Sequence, residues 1–245
     1  MILMYHHVCP SNRIPNIVTD LEGWQFNISP QQFENQLRAV SERGFKFVSL
    51  AEYVDHLSTT TKDRTSRVAV TFDDGWVDNF EYAFPVLEQL GIPATFFIVA
   101  GDMPGIDRGR RMSDNQLREM ESRGMTIGGH SMTHPNLALL TETQLEYEIS
   151  VCRRSLQERL GSSIEFFAYP GGRFNHAVIE ACQNAGYRGA CSTIGWGKNS
   201  KKTSYYLFRD VLSPTTSALA DRLKLSQLSR SVLRWRAAVR LRKIL

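Results

Sequence analysis

Hydrophobic residues along this chain follow two alternating rhythms. Short apolar runs rich in β-branched and aromatic residues recur at residues 1–8, 45–48, 67–72, 93–99, 124–127 and 207–211, and each reads as a strand; residues 185–192 read as a helix stop leading into another. The stretches between them carry helical spacing and helix punctuation. Ser29 is placed as an N-cap with Pro30 at the first helical position, and Phe33, Leu37 and Val40 carry that helix to Gly44. A further start follows at Ser49 to Glu52. Residues 76–90 form a helix stopped by Gly91, residues 113–123 one capped by Ser113, and residues 141–160 one with Glu142 in its first turn and Gly161 as its stop. Repeated strand–helix units predict an α/β fold with a parallel sheet, arranged as a (β/α) barrel.

Composition sets the scale of that fold. The 245 residues suffice for one large α/β domain, and a hydrophobic content of 42% is ordinary for a soluble protein. No apolar run approaches the roughly 20 residues of a membrane-spanning helix. Residues 1–8 show no basic start and no cleavage site, so the sequence predicts a cytoplasmic protein. Cys9, Cys152, Cys182 and Cys191 are then expected as reduced thiols, in a spacing that fits no zinc knuckle.

Charge is unevenly distributed. Residues 221–245 hold eight Lys or Arg and one acid, against a net +4 for the whole chain. Leu225, Leu228, Val232, Trp235 and Val239 recur at helical spacing beside Arg222, Arg230, Arg236, Arg240 and Lys243, which predicts a basic amphipathic helix. The chain therefore divides into a main domain, residues 1–217, and a basic C-terminal helix, residues 218–245. Such a helix suits peripheral contact with the inner membrane face, or a partner, or packing on the barrel; nucleic acid is not expected, because no recognition motif accompanies the charge.

Candidate chemistry sits at two strand ends. The run 67–72 leads into Asp73-Asp74-Gly75. Adjacent carboxylates at a sheet end repel each other and call for a cation or a proton, unless they merely cap the next helix. A second motif, Gly128-Gly129-His130-Ser131-Met132-Thr133-His134-Pro135, follows the strand 124–127. Within one helical turn, residues four apart share a face, so both imidazoles can reach one ion. Two imidazoles and a carboxylate are the protein ligands of an open catalytic zinc site. Asp74, His130 and His134 would supply them, leaving Asp73 to take a proton.

In their order and separation, Thr71-Phe72-Asp73-Asp74-Gly75 and His130-Ser131-x-x-His134 resemble the first two motifs of the polysaccharide deacetylases, carbohydrate esterase family 4 or the NodB-like domain. The likeness runs from Met1 to about Pro214. It implies a distorted (β/α)7 barrel, Asp73 as general base, and Asp74, His130 and His134 as ligands of Zn2+, with Co2+ and Ni2+ as alternatives. Many members place a catalytic His near the C-terminus, but this chain has none after His176. Tyr5-His6 matches the N-terminal Tyr-His of the poly-N-acetylglucosamine deacetylase-type subgroup, which makes His6 the general acid and leaves His7 a neighbour without a role.

The third family motif falls at residues 166–172, where Ala168 replaces the Arg that positions the base and Gly171 replaces an aromatic residue. Gly171 is the expected backbone donor to the oxyanion, beside Tyr169 and Pro170. Trp196, in a glycine-rich loop, is a candidate for stacking on a sugar, and Arg209 for meeting a carboxylate, with ordinary packing as the alternative for each. The implied reaction removes N-acetyl groups from N-acetylhexosamine residues of a polysaccharide, oligosaccharide or glycan precursor. Alternatives are an O-acetyl esterase of the same fold, a deacetylase of lipid-linked sugars at the membrane face, and a non-catalytic carbohydrate-binding module. The last should have lost a metal ligand or the base, and this chain keeps both.

Overall fold

A computed structural model describes residues 1–10, 27–58, 66–103, 105, 110–195, 197–211 and 241. The predicted basic helix therefore lies outside the described residues except for Leu241, which is helical and packs against the core, and Trp196 also lies outside them. Among the described residues, no helix is long and apolar enough to cross a membrane.

The strands are β1 (Ile2–Tyr5), β2 (His7–Val8), β3 (Asn27–Ile28), β4 (Lys46–Phe47), β5 (Arg67–Phe72), β6 (Ala94–Ile98), β7 (Thr126–Gly129), β8 (Phe166–Ala168), β9 (Gly189–Cys191) and β10 (Asp210–Val211). The main sheet runs β10-β1-β5-β6-β7-β8-β9, with β4 paired to the start of β5, and every pairing is parallel. Its edges meet through one short segment. Leu207 bridges Cys191 at the end of β9, and three residues later Asp210 pairs with Leu3 of β1. The sheet thus curls into the distorted barrel that the family resemblance implies.

The helices are α1 (Pro30–Ser41), α2 (Leu50–His56), α3 (Phe84–Leu90), α4 (Asp114–Ser122), α5 (Glu142–Leu145), α6 (Cys152–Leu160) and α7 (His176–Asn184). Ser29 and Ser113 cap α1 and α4 as the sequence predicts, each in a reciprocal pair with the Gln three residues on. Gly91 and Gly161 end α3 and α6 in the left-handed conformation, at φ 63° and 73°, where a side chain would be strained.

Two-residue alternation explains how the strands feed the site. In β5, Val68, Val70 and Phe72 belong to the large apolar cluster that includes Leu37, Leu87 and Leu117 of the helices, whereas Ala69 belongs to a second cluster with Ile2, Phe97, Phe166, Ala168, Cys191 and Leu207. The second cluster fills the barrel, and α2 adds Leu50, Tyr53 and Val54 to it. Each large side chain buried this way contributes roughly 1.5–3 kcal/mol, so both faces of the sheet are specified by packing. Thr71 and Asp73 continue the interior face of Ala69, which makes Asp73 the last inward position before the mouth.

Two helices differ from expectation. The stretches 76–90 and 141–160 are each interrupted by a π-helical turn, at Asn79–Ala83 and Glu146–Val151. Trp76 is not helical at all, but bridges Arg111. In both turns a buried polar residue, Asn79 or Glu148, reaches back to a loop at the strand ends. Helical periodicity alone carries no sign of such an anchor.

β7 needs its glycines for a different reason, which is space. A Cβ built on Gly129 would stand 2.5 Å from the Tyr187 hydroxyl oxygen, 3.2 Å from the Phe167 ring and 3.3 Å from the Cys152 sulfur. Gly129→Ala is therefore expected to destabilise the protein by about 1–3 kcal/mol, read as a lower urea midpoint at constant slope. An unchanged midpoint would show that the neighbours can give way.

Candidate metal centre and active site

Parallel strands open their carboxyl ends at one mouth. His6 follows β1, Asp73 and Asp74 follow β5, His130 follows β7, and Tyr169, Pro170 and Gly171 follow β8. The ladder extends one step past the strands, since the Asp73 N–H donates to Tyr5 O (3.0 Å) and the His130 N–H to Ile98 O (2.8 Å).

Asp74, His130 and His134 converge there, with one donor atom from each lying within 4.8 Å of the others. Asp74 Oδ1 stands 3.2 Å from His130 Nε2 and 3.3 Å from His134 Nε2. It makes a well-aligned hydrogen bond to neither. His130 Nδ1 lies 2.7 Å from Ala168 O, and a carbonyl has no proton to offer, so Nδ1–H is the donor. His130 Nε2 then presents a lone pair to a carboxylate oxygen, a repulsive arrangement unless a cation lies between them. Ligand atoms ~2.0–2.1 Å from a tetrahedral ion stand about 3.3 Å apart, so the spacing fits a zinc-like ion. Asp74 Oδ2 is fixed separately by the Trp76 indole N–H (3.1 Å). Burial alone would raise the Asp74 pKa, but its contact with the His130 and His134 imidazoles, with His6 nearby, outweighs it and holds the carboxyl well below its usual range. His134 is the more open of the two imidazoles, with 26% of its side chain exposed, and it faces the mouth.

Asp73 is almost fully buried and is gripped by Arg209, whose Nη1 and Nη2 each donate to one of its oxygens at 2.7 Å. Arg209 is itself inside the barrel at 0% exposure, donating to Ser192 O (2.8 Å) and Thr71 Oγ1 (3.2 Å) with its guanidinium over the Phe97 ring. Here is the cation that Ala168 cannot supply, delivered from the closing segment. Burial pushes the Asp73 pKa up, and the Arg209 charge and hydrogen bonds bring it below the ordinary value, so the carboxylate is ionised and aligned at neutral pH.

His6 is half-buried beside both aspartates; burial lowers its pKa, and the Asp74 and Asp73 charges only partly oppose this, so it stays below the ordinary histidine value. Its carbonyl accepts the Asn79 side-chain N–H (2.7 Å). His7 is buried, pairs through Nδ1 with Asp78 Oδ2 (2.6 Å) and stacks on Trp76 with ring centroids 4.6 Å apart. Thus His7 acquires a structural position: it ties the N-terminal strand to the indole that holds Asp74. Asp78 and Asn79 lie three and four residues past Gly75 of the Asp-Asp-Gly turn, and only that proximity in sequence could have flagged them.

The histidines do not share a helical turn. Residues 130–136 form a loop in which Ser131 and His134 have φ of 67° and 61°. Asp74, at φ 73°, is the third non-glycine residue in the left-handed region among those described. Such residues cost of order 1–3 kcal/mol each and persist where the surroundings over-determine them. The Tyr169 side chain is fully buried, stacked on Phe174 and donating to Tyr205 O (2.7 Å), so it belongs to the barrel wall. Pro170 is buried as well, while Gly171 is exposed at the mouth with φ 57°. Beside the site, a cleft of about 880 Å3 runs past Val99, Arg111 and Met132 toward the Asp114–Arg159 ion pair.

The chain belongs to the polysaccharide deacetylase family, whose pattern it matches over residues 60–190. It is 26% identical over 219 residues to YxkH of Bacillus subtilis (strain 168), covering 89% of this chain and 73% of that protein. It is 25% identical over 228 residues to the poly-beta-1,6-N-acetyl-D-glucosamine N-deacetylase of Staphylococcus aureus (strain MRSA252), covering 87% of this chain and 78% of that one. Among solved structures, the Streptococcus pyogenes deacetylase PplD in complex with acetate superposes with a TM-score of 0.79 at 24% identity, covering 90% of this chain and 96% of that chain, a likeness of fold.

Proposed function

We propose that this protein is a metal-dependent hydrolase that removes N-acetyl groups from N-acetylhexosamine residues of a polysaccharide or glycan precursor. The observation that carries the reading is the juxtaposition of two carboxylates with separate duties. Asp74 faces two imidazoles with an oxygen that lacks a proton partner, and Asp73 is held ionised one residue away. A divalent ion held by Asp74, His130 and His134 supplies a Lewis acid for the acetyl carbonyl and for water. Asp73, aligned by Arg209, takes the proton of the attacking water. The exposed Gly171 offers a main-chain N–H at the mouth for the charge that develops on the carbonyl oxygen, and His6 gives a proton to the departing amine. The name of the Staphylococcus aureus relative supports an N-acetyl rather than an O-acetyl substrate.

Acetate release from N-acetylglucosamine oligomers by purified protein, with metal content measured alongside, tests the reading. Wild type should bind about one zinc and release acetate. His130→Ala should lose metal affinity by more than the ~10–100-fold that follows loss of an outer-shell partner, and with it activity. Metal-loaded wild type that releases no acetate from these oligomers would sink the proposed substrate.

A further inference from the structure

The loop that presents His134 is held from two sides. On one side the N–H groups of Ala100 and Gly101, just past β6, donate to Ser131 O and Met132 O, both at 2.9 Å. On the other stands Glu148, a carboxylate only 6% exposed. Its Oε2 accepts the Met132 N–H and the Thr133 N–H, each at 2.9 Å, and its Oε1 accepts the Thr133 hydroxyl at 2.7 Å. These bonds lie between the two left-handed residues, Ser131 and His134, whose own link is the His134 N–H donated to Ser131 Oγ (2.9 Å).

Glu148 sits in the π-helical turn Glu146–Val151 between α5 and α6. A π turn is wider than an α turn and shifts the direction of the side chains that follow, and such turns gather at functional sites. Here it aims an acid at consecutive backbone N–H groups, which a carboxylate with two oxygens can satisfy together with a hydroxyl. Glu148 touches neither Asp74 nor the imidazoles by any of these bonds. Its reach to the site goes through the backbone of Met132 and Thr133, the residues that determine where His134 projects.

We propose that Glu148 is a positioning residue that sets the affinity of this protein for a divalent metal, by holding the 131–134 loop so that His134 is presented before the ion arrives. The inference rests on the metal centre described above and not on the identity of the substrate. Without the carboxylate, two inward N–H groups lose their acceptor and the left-handed turn loses one of its two supports, so the imidazole is free to swing away from Asp74.

The test strips metal from the purified full-length protein with a chelator and titrates zinc back against a chromophoric competitor, for wild type, Glu148→Ala and Glu148→Gln, with apo-protein melting temperatures taken in parallel. Glu148→Ala is expected to bind zinc about 10–100-fold more weakly. Gln keeps one oxygen for both N–H groups and gains an N–H for the Thr133 hydroxyl, so Glu148→Gln is expected within about threefold of wild type. A carboxylate that merely fastened helix to loop would lower the melting temperature of the Ala variant and leave its zinc affinity unchanged, and that result overturns the proposal. So does a Gln variant as weak as Ala, which would make charge rather than hydrogen bonding the cause. Should Glu148→Ala fail to fold, Thr133→Val removes one of the three bonds: a several-fold loss supports the assignment, and wild-type affinity overturns it. Wild type that binds no zinc would overturn the metal centre itself, and this assignment with it.

Discussion

Turnover of the Asp73→Asn variant is expected to fall by about 10²–10⁴-fold, the range of a lost general base, with metal content unchanged. The proposed ligand set remains whole, because Asp74, His130 and His134 are separate side chains, Asp74 held by Trp76 and His130 by Ala168. What disappears is the one carboxylate held ionised beside the ligands and free of them. An amide oxygen can still accept from Arg209, so the geometry survives while the basicity does not. Steady-state rates on the acetylated oligomer, with metal measured on the same sample, decide the matter. A variant within tenfold of wild type would remove Asp73 from the mechanism.

Arg209→Met is expected to cost about 3–5 kcal/mol of stability, the range for breaking a buried ion pair. The loss comes less from missing attraction than from an Asp73 carboxylate left at 1% exposure without its cation. That amount is a large share of the ~5–15 kcal/mol that a domain of this kind possesses, so the urea midpoint should drop steeply. Asp73→Asn alone should also destabilise, because it leaves the guanidinium buried against a neutral partner. The double variant Asp73→Asn/Arg209→Met buries neither charge and is expected to regain stability relative to Arg209→Met, though not activity. Additive losses in the double variant would mean that the two groups do not act as a pair.

The site was legible wherever chemistry and strand pattern coincide in a short stretch. Asp73-Asp74 after an apolar run, and paired histidines after another, announce themselves because charged groups at buried strand ends need a reason. A spacing of four between the histidines is compatible with a helical turn and with the observed loop alike, and what decides is tertiary. Glu148 and the β6 exit hold residues 131–133, and neither is near them in sequence. Arg209 was a candidate for meeting a carboxylate, but its partner could not be named, since the pair is 136 residues apart and exists only once the barrel closes. Tyr169 shows the opposite problem. Its position in a family motif suggested the substrate side, while strand alternation turns its ring into the core with Phe167 and Phe174.

The segment that joins β9 to β1 also has a bearing on timing. The Asp73–Arg209 contact closes a loop of 136 residues, an entropic cost met only when the described strand that is last in sequence joins β1. A growing or clipped chain that ends before Leu207 already contains Asp74, His130 and His134, the proposed metal ligands, but not Arg209, which aligns Asp73. Completion of the wall and formation of the Asp73–Arg209 pair are one event. On the proposed mechanism, an unfinished chain would carry the candidate metal site without the ion pair that aligns the base, so activity would wait on closure of the wall.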